Sequence, residues 1–321
     1  MCRDASHASS RVRAWQYVEP LWELGHDVDV LTWQPERSHD VARLAATLIA
    51  RARRADVVVL VKPRIHPAVL AVLAQVQPEI WVDLDDAVWT WPAPFPNRFM
   101  QAARHARGFV AGSRWLATRL AERLPGATVA LVPTAIDTAH YAPPARRSPQ
   151  QPIVGWIGGP ASLTDFIPPV ADALRSLVSE GRIAVRVVCS SALDASVVPS
   201  EFELWTPETE VASLQQFDIG IMPLRDDERS WGRCGLKALQ YMAVGAPIVA
   251  SAIGAACEIV ENDVSGILAS TTSEWRDALA SLADDEDRRA VLGAAAHRRV
   301  EDAFSVSVVA PQLAAALTPT R

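Results

Sequence analysis

Short apolar runs alternate with amphipathic stretches along the whole chain. In the first half, the runs at 28–33, 56–62, 80–84, 108–111 and 128–132 are brief, rich in Val and bounded by turn residues, which predicts buried strands. Helices are predicted between them at 10–24, 41–54, 67–75, 98–107 and 115–123, the first with Ser9 or Ser10 as N-cap and Gly25 as C-cap. Residues 143–152 then place four prolines in ten positions, which no helix interior or central strand tolerates. The second half repeats the theme. Strands are predicted at 153–157, 184–189, 203–205, 219–224, 247–251 and 266–269, and helices near 165–179, 208–215, 235–244 and 273–282, with two more closing the chain.

Such alternation predicts an α/β protein of two Rossmann-like, doubly wound parallel-sheet domains facing a cleft. The expected division is an N-terminal domain over 1–142, a linker over 143–152, a second domain over 153–300, and a C-terminal helix over 301–321 that packs back on the first domain. A doubly wound domain normally opens with a strand, whereas here the chain starts almost directly at Ser9-Ser10. The first domain is therefore expected to lack its first strand, at a central position.

Composition adds bounds. With 321 residues, half of them hydrophobic and 21% charged, the chain has apolar material for two cores. No apolar run reaches the roughly 18 residues of a membrane span, and no apolar stretch follows the first charges, so a cytoplasmic protein is expected. Cys2, Cys189, Cys234 and Cys257 fit neither a zinc pattern nor a disulfide framework. Charge is uneven: 18 Lys and Arg face 14 Asp and Glu up to residue 150, and 13 face 23 beyond it. The basic first half suits an acidic acceptor or peripheral contact with an anionic inner membrane face, or is simply a solvated Arg-rich surface. Of 31 basic residues only Lys62 and Lys237 are lysine, and each is a candidate for a place that needs a compact ammonium.

The densest chemistry lies in the second half. Phe217-Asp218-Ile219-Gly220-Ile221-Met222-Pro223-Leu224 leads through a polar loop to Gly232-Arg233-Cys234-Gly235-Leu236-Lys237-Ala238-Leu239-Gln240 and on to Gly245-Ala246-Pro247, with Gly254 and Glu258 following. This reads as strand, loop, helix, tight turn, strand. A helix starting near Cys234-Gly235 offers free N–H groups and a positive dipole end to phosphate. Arg225, Arg229, Arg233 and Lys237 surround that start. The plainer alternative is a surface loop with exposed charges.

The stretch resembles the donor-binding segment of retaining GT-B glycosyltransferases of family four, with Gly235, Leu236, Leu239, Met242, Ala243, Gly245, Pro247 and Val249 in register. Ser9-Ser10-Arg11-Val12-Arg13 resembles that family's acceptor-side loop, Phe109-Val110-Ala111-Gly112-Ser113 a late strand and loop of its first domain, and Val132-Pro133-Thr134-Ala135-Ile136-Asp137 the run ahead of its linker. The resemblance implies a nucleotide-diphosphate sugar as donor substrate, no further cofactor and no metal. Taken with the chain's own residues, it gives donor and phosphate candidates at Gly158, Gly159, Ser162, Arg233, Gly235, Leu236, Lys237, Gln240 and Glu258, and acceptor-side candidates at Ser10, Arg11 and His66.

The chain departs from the family at telling places. Two glutamates eight positions apart, said in the family to meet the donor sugar and the ribose, fall on Gly232 and Gln240. Gln240 retains hydrogen-bonding capacity as an amide, but Gly232 has no side chain to offer. The family's phosphate-binding Arg and Lys fall on Trp156 and Ala161, so Lys237, with Arg233, is expected to supply the replacement charge. The loop keeps Gly158, Gly159 and Ser162, which can cradle phosphate through backbone groups.

In the first half, Asp83-Leu84-Asp85-Asp86 ends a predicted strand. Neighbouring carboxylates raise one another's pKa, so Asp85 and Asp86 are the catalytic candidates, taking or binding the acceptor hydroxyl's proton; helix capping is the alternative. Trp81, Trp89 and Trp91 nearby are candidates for stacking on a sugar or for packing. His66 is either an acid–base group or a helix cap. The 205–208 loop lies near the nucleobase by family analogy. The function expected is glycosyl transfer to a saccharide, lipid-linked or small-molecule acceptor, with retention implied by the family and no nucleic-acid partner. The alternatives are a GT-B sugar-nucleotide epimerase and a catalytically degenerate nucleotide-sugar-binding protein.

Overall fold

Four of the five apolar runs of the first half pair as parallel strands, β1 (Val58–Val61), β2 (Ile80–Leu84), β3 (Gly108–Ala111) and β4 (Thr128–Leu131), in that spatial order. β2 and β3 are buried at every position, as strands covered on both faces must be. One face is covered by helices including Pro67–Val76, Phe95–Ala103 and Arg114–Arg123, through Leu70, Leu73, Phe99, Leu116 and Leu120. The other is covered by Tyr17 and Leu21 together with Val309 and Leu313 of the helix Val306–Leu317. The structure is a computed structural model; it describes all residues except 4–6, 35–37, 64, 145–150, 161–166, 168–169, 192–197 and 319–321. This first unit comprises Met1–Ala135, Trp231–Cys234 and Val306–Arg321.

The fifth run, 28–33, forms no strand. It makes a single parallel bridge, Thr32 to Cys2. Residues 1–3 lie between it and β1: Val61 N–H donates to Met1 O (3.0 Å), Cys2 N–H to Leu31 O (3.1 Å) and Trp33 N–H to Cys2 O (2.8 Å). No strand forms among the described residues before residue 8.

The helix expected over 10–24 is broken into Ala8–Arg13, a 3-10 turn at Trp15–Tyr17 and Val18–Glu23. In a continuous helix the Pro20 ring would collide with the carbonyl of residue 16. The Gln16 amide instead donates to Val12 O and Ala135 O. The N-cap is His7, not Ser9 or Ser10, which lie inside the first turn. Gly25 closes the last piece at φ +86°, with His26 N–H reaching Leu21 O and Gly25 N–H reaching Trp22 O, the two bonds of a Schellman end.

The second unit, Ile136–Ser230 and Gly235–Ser305, holds β5 (Ile153–Gly158), β6 (Ala184–Cys189), β7 (Glu201–Leu204), β8 (Ile219–Met222), β9 (Ile248–Ser251) and β10 (Gly266–Ala269). All pair in parallel, in the order β10-β9-β8-β5-β6-β7. The chain winds outward from β5 to β7 and returns to β8 beside β5, so the winding reverses between β5 and β8. Ligands of doubly wound sheets bind at the carboxyl ends of the strands at such a point. Helices Ala171–Ser179 and Thr272–Asp284 cover one face through Leu174, Leu177, Trp275 and Leu279. Leu236–Ala243 and Glu286–Phe304 cover the other through Leu239, Met242, Ala296 and Val300. Among the described residues no helix is long and apolar enough to cross a membrane.

Candidate functional site

In the second unit, β5 ends on Gly158, at the point where the winding reverses. The helix Leu236–Ala243 carries Lys237 to the same place. The Lys237 ammonium lies 5.0 Å from the centroid of the Trp156 ring, a cation–π distance. A Cβ at position 158 would stand 2.9 Å from Lys237 Cε and 2.7 Å from that ring. Trp156 is 1% exposed, so it forms a fixed floor. Trp156 thus holds a lysine that comes from another element. Gly159, next in the chain, has open space where a side chain would be. Ser162 lies outside the described residues.

The Lys237 helix begins one residue later than Cys234-Gly235. Gly235 is its N-cap, in the left-handed region at φ +71°, where a Cβ would also meet Ile259 Cδ1 at 2.4 Å. The first-turn N–H groups from Leu236 onward have no partner within the helix. Arg225 and Arg229 are exposed in a stretch that also holds Asp226, Asp227 and Glu228. Arg233 is half-buried and belongs to Trp231–Cys234, which folds with the first unit. Glu258 is half-buried on the short helix Ala256–Ile259, its carbonyl accepting from Arg299.

Gln240 does not stand free for a ribose. It is 4% exposed, and its amide donates to Glu210 Oε1 at 3.1 Å. The Tyr141 hydroxyl donates to the same oxygen, and the Trp205 indole N–H to Oε2 at 2.7 Å. Glu210 is itself buried. The sequence reading missed this carboxylate; no motif marks it, and its partners are 69, 5 and 30 positions away.

In the first unit, polar groups collect at the carboxyl ends of β1 and β2. The Lys62 ammonium donates to Ser9 Oγ (2.7 Å), pairs with Asp85 (2.7 Å) and donates to Asp86. Two of the ammonium's N–H groups are thus hydrogen-bonded, and Asp85 is held as an ion pair. Lys62 takes φ +45°, uncommon outside glycine. Burial would lower the Lys62 pKa, but Asp85 and Asp86 raise it above the ordinary lysine value. Burial would likewise raise the Asp85 pKa, but Lys62 brings it below the ordinary carboxylate value. The expectation of a carboxyl holding a proton near neutrality is thereby corrected at Asp85: an ammonium sits between the two acids. Beneath them, Arg13 grips Asp83 bidentately at 2.9 and 2.7 Å and donates to Val132 O and Pro133 O.

Ser10 is buried with its hydroxyl accepting the Arg3 N–H at 2.9 Å, so Ser9 rather than Ser10 joins the polar cluster. Arg11 is half-buried on the same helix. His66 is the N-cap of Pro67–Val76, its Nδ1 accepting from Ala68 N–H at 3.3 Å. Trp81 is a core residue, whereas Trp91 lies under Lys62 at 5.3 Å and Trp89 under Arg123 at 4.8 Å. Gly232 packs on Ala87, beside Asp86: a Cβ there would fall 2.3 Å from Ala87 Cβ and 2.8 Å from Ala87 N. The Cys234 thiol is pushed up by burial, which keeps it protonated at neutral pH.

Residues 170–285 match the family model of glycosyl transferases group 1. A D-inositol 3-phosphate glycosyltransferase of Corynebacterium aurimucosum is 35% identical over 109 residues, 33% of this chain and 24% of that protein. One from Thermobispora bispora is 33% identical over 115 residues, covering 35% and 26% respectively. The match therefore spans about a quarter of the length of these relatives. Among solved structures, Anabaena Alr3699/HepE in complex with UDP and glucose superposes with a TM-score of 0.68 at 18% identity, over 93% of this chain and 88% of that one. Sucrose-phosphate synthase from Thermosynechococcus elongatus gives 0.66 at 14%, over 89% and 80%. Two parallel-sheet units with these neighbours are the GT-B fold, and residues 170–285 are similar to the group 1 glycosyl transferases.

Proposed function

We propose that this protein transfers a glycosyl group from a nucleoside-diphosphate sugar to a hydroxyl-bearing acceptor. The observation that carries the reading is Lys237, laid along Gly158 and over Trp156 where the winding reverses. The diphosphate would lie between the Gly158-Gly159 backbone and the first turn after Gly235, with Leu236 contributing its N–H. Lys237 and the helix dipole would stabilise the charge that builds on the diphosphate as its bond to the sugar carbon breaks. The acceptor oxygen forms the new bond, and its proton leaves with the diphosphate or to water. Relatives named as glycosyltransferases and neighbours solved with UDP support the donor class.

The acceptor belongs, on this reading, with Asp85 and Asp86. Lys62 keeps Asp85 ionised, so Asp85 helps to bind and orient a hydroxyl rather than to store a proton. Asp86, its side chain more exposed than that of Asp85 (21% against 12%), is the one that meets it. Retention of configuration, which the family resemblance implies, is consistent with an acceptor side that lacks a strong base.

Calorimetric titration with UDP, GDP and ADP, followed by a screen for diphosphate release from the corresponding sugars, tests the proposal. Binding of one nucleoside diphosphate and acceptor-dependent release are expected. Absence of binding at millimolar concentration overturns it. The lack of room for any side chain at Gly232 favours one rival, a nucleotide-sugar-binding protein without turnover, which binding without release across the panel would support.

A further inference from the structure

Glu210 is a buried carboxylate that the reaction above does not use. It begins the helix Glu210–Leu214 and is 5% exposed. Donors from three separate segments converge on it: the Tyr141 hydroxyl, the Trp205 indole just past β7, and the Gln240 amide. Tyr141 and Gln240 are each 4% exposed. A buried carboxylate must be matched by donors, and here three supply the match.

Gln240 lies one helical turn after Lys237, so the two share a face of Leu236–Ala243. That helix is short, at eight residues, and its start is a glycine without a side-chain cap. A helix so begun takes its position from tertiary contacts more than from its own ends. The Gln240–Glu210 bond is a charge-assisted contact of this kind, one turn from the ammonium. It also explains the amide. A carboxylate at 240 would stand about as close to Glu210 as the amide nitrogen does, at 3.1 Å, and two buried carboxylates at that distance cannot both be ionised.

We propose that Glu210 is the positioning residue of the phosphate site: by holding the Gln240 amide against Tyr141 and Trp205 it fixes the helix that carries Lys237, and it is the reason residue 240 is an amide. This rests on the reading that Lys237 meets the donor diphosphate. Glu210 touches no substrate; it acts through Lys237.

The test is calorimetry with UDP and with pyrophosphate on Glu210→Gln, Gln240→Glu, the exchanged pair Glu210→Gln/Gln240→Glu, Lys237→Ala and Glu210→Gln/Lys237→Ala. Measurements are made well below each variant's Tm, with Val300→Ala as a destabilised control in the same core. Each single change at 210 or 240 is expected to weaken both ligands roughly tenfold, and the exchanged pair to recover most of that loss. With Lys237 already removed, Glu210→Gln should cost no further affinity, an outcome that general loosening would not give. If the natural protein binds neither ligand, or Lys237→Ala binds as well as it does, the donor reading fails and the proposal with it. If Lys237→Ala weakens binding but Glu210→Gln does not, or weakens it equally without Lys237, the proposal fails while the donor reading stands. A loss in Val300→Ala equal to that in Glu210→Gln also overturns it.

Discussion

Gly158 leaves the space that the Lys237 side chain fills: a Cβ at 158 would stand 2.9 Å from Lys237 Cε and 2.7 Å from the buried ring of Trp156. Lys237 can swing away, but Trp156, 1% exposed, cannot move without disturbing the core. Gly158→Ala is therefore expected to displace the ammonium and strain the floor beneath it. Overpacking of this order costs about 1–3 kcal/mol. UDP affinity should fall roughly tenfold, with a drop in Tm of a few degrees. Calorimetry beside thermal unfolding checks both; unchanged UDP affinity would remove Lys237 from the ligand.

Lys62 holds two carboxylates, and its removal leaves them facing one another. The side chains of Lys62 and Asp85 are 8% and 12% exposed, so the pair is mostly shielded from water. Breaking a buried pair from one side costs about 3–5 kcal/mol, and Lys62→Met should approach that. The Lys62 pKa is raised, so its share of stability is complete below the ordinary lysine pKa and fades only in stronger alkali. The Asp85 pKa is lowered, so its share is complete above the ordinary carboxylate pKa and fades as pH falls through the folded-state value. At neutral pH the intact cluster adds no pH dependence. In Lys62→Met a carboxyl pKa rises in the folded state, and stability should increase on lowering the pH from about 7 to about 5. Urea unfolding at the two pH values decides; a variant that weakens further in acid contradicts the account.

Arg13 is not replaceable by the other basic residue. Its fork spans both Asp83 oxygens and reaches Val132 O and Pro133 O. A lysine keeps one charge but loses the planar two-point grip. Arg13→Lys should cost about 2–3 kcal/mol through carbonyls and a carboxylate oxygen left without donors. Equal unfolding midpoints for the two proteins would show that the fork is dispensable.

Much of the scaffold was legible because buried parallel strands are near-continuous apolar runs. The runs at 80–84, 108–111, 184–189 and 266–269 match β2, β3, β6 and β10 to the residue. The run at 28–33 is interrupted by Asp29 and makes one parallel bridge, to Cys2, short of a strand. Helix 10–24 was misread because apolar periodicity continues past Ala14 while the backbone there leaves the helical region, at φ −138° and ψ −65°. At the candidate sites, Lys237 and Lys62 stood out by their rarity, and Gly158 and Gly235 by the demands of close approach and of the left-handed cap. Glu210 left no such mark, because its role is made of partners that only the fold assembles. The acidic pair was visible at 85–86, but the ammonium that lowers the Asp85 pKa lies 23 positions earlier in the chain.

Gly232 stands where the family resemblance places a glutamate, and the obvious repair is to restore one. The geometry argues against it. A Cβ at 232 would fall 2.3 Å from Ala87 Cβ and 2.8 Å from Ala87 N, and the second of these is backbone that cannot rotate aside. Gly232→Glu must therefore push the 231–234 segment off the loop that carries Asp85 and Asp86. The expected result is a protein destabilised by about 1–3 kcal/mol, with diphosphate release no faster than before. Because the closest clash is with the Ala87 methyl, Ala87→Gly should return part of the stability lost in Gly232→Ala, a coupling between contacting residues of about 0.5–3 kcal/mol. Thermal unfolding of the two single variants and the double variant measures it. If Gly232→Ala alone unfolds at the natural temperature, the segment does not pack on Ala87 as described, and the loss of the glutamate needs another explanation.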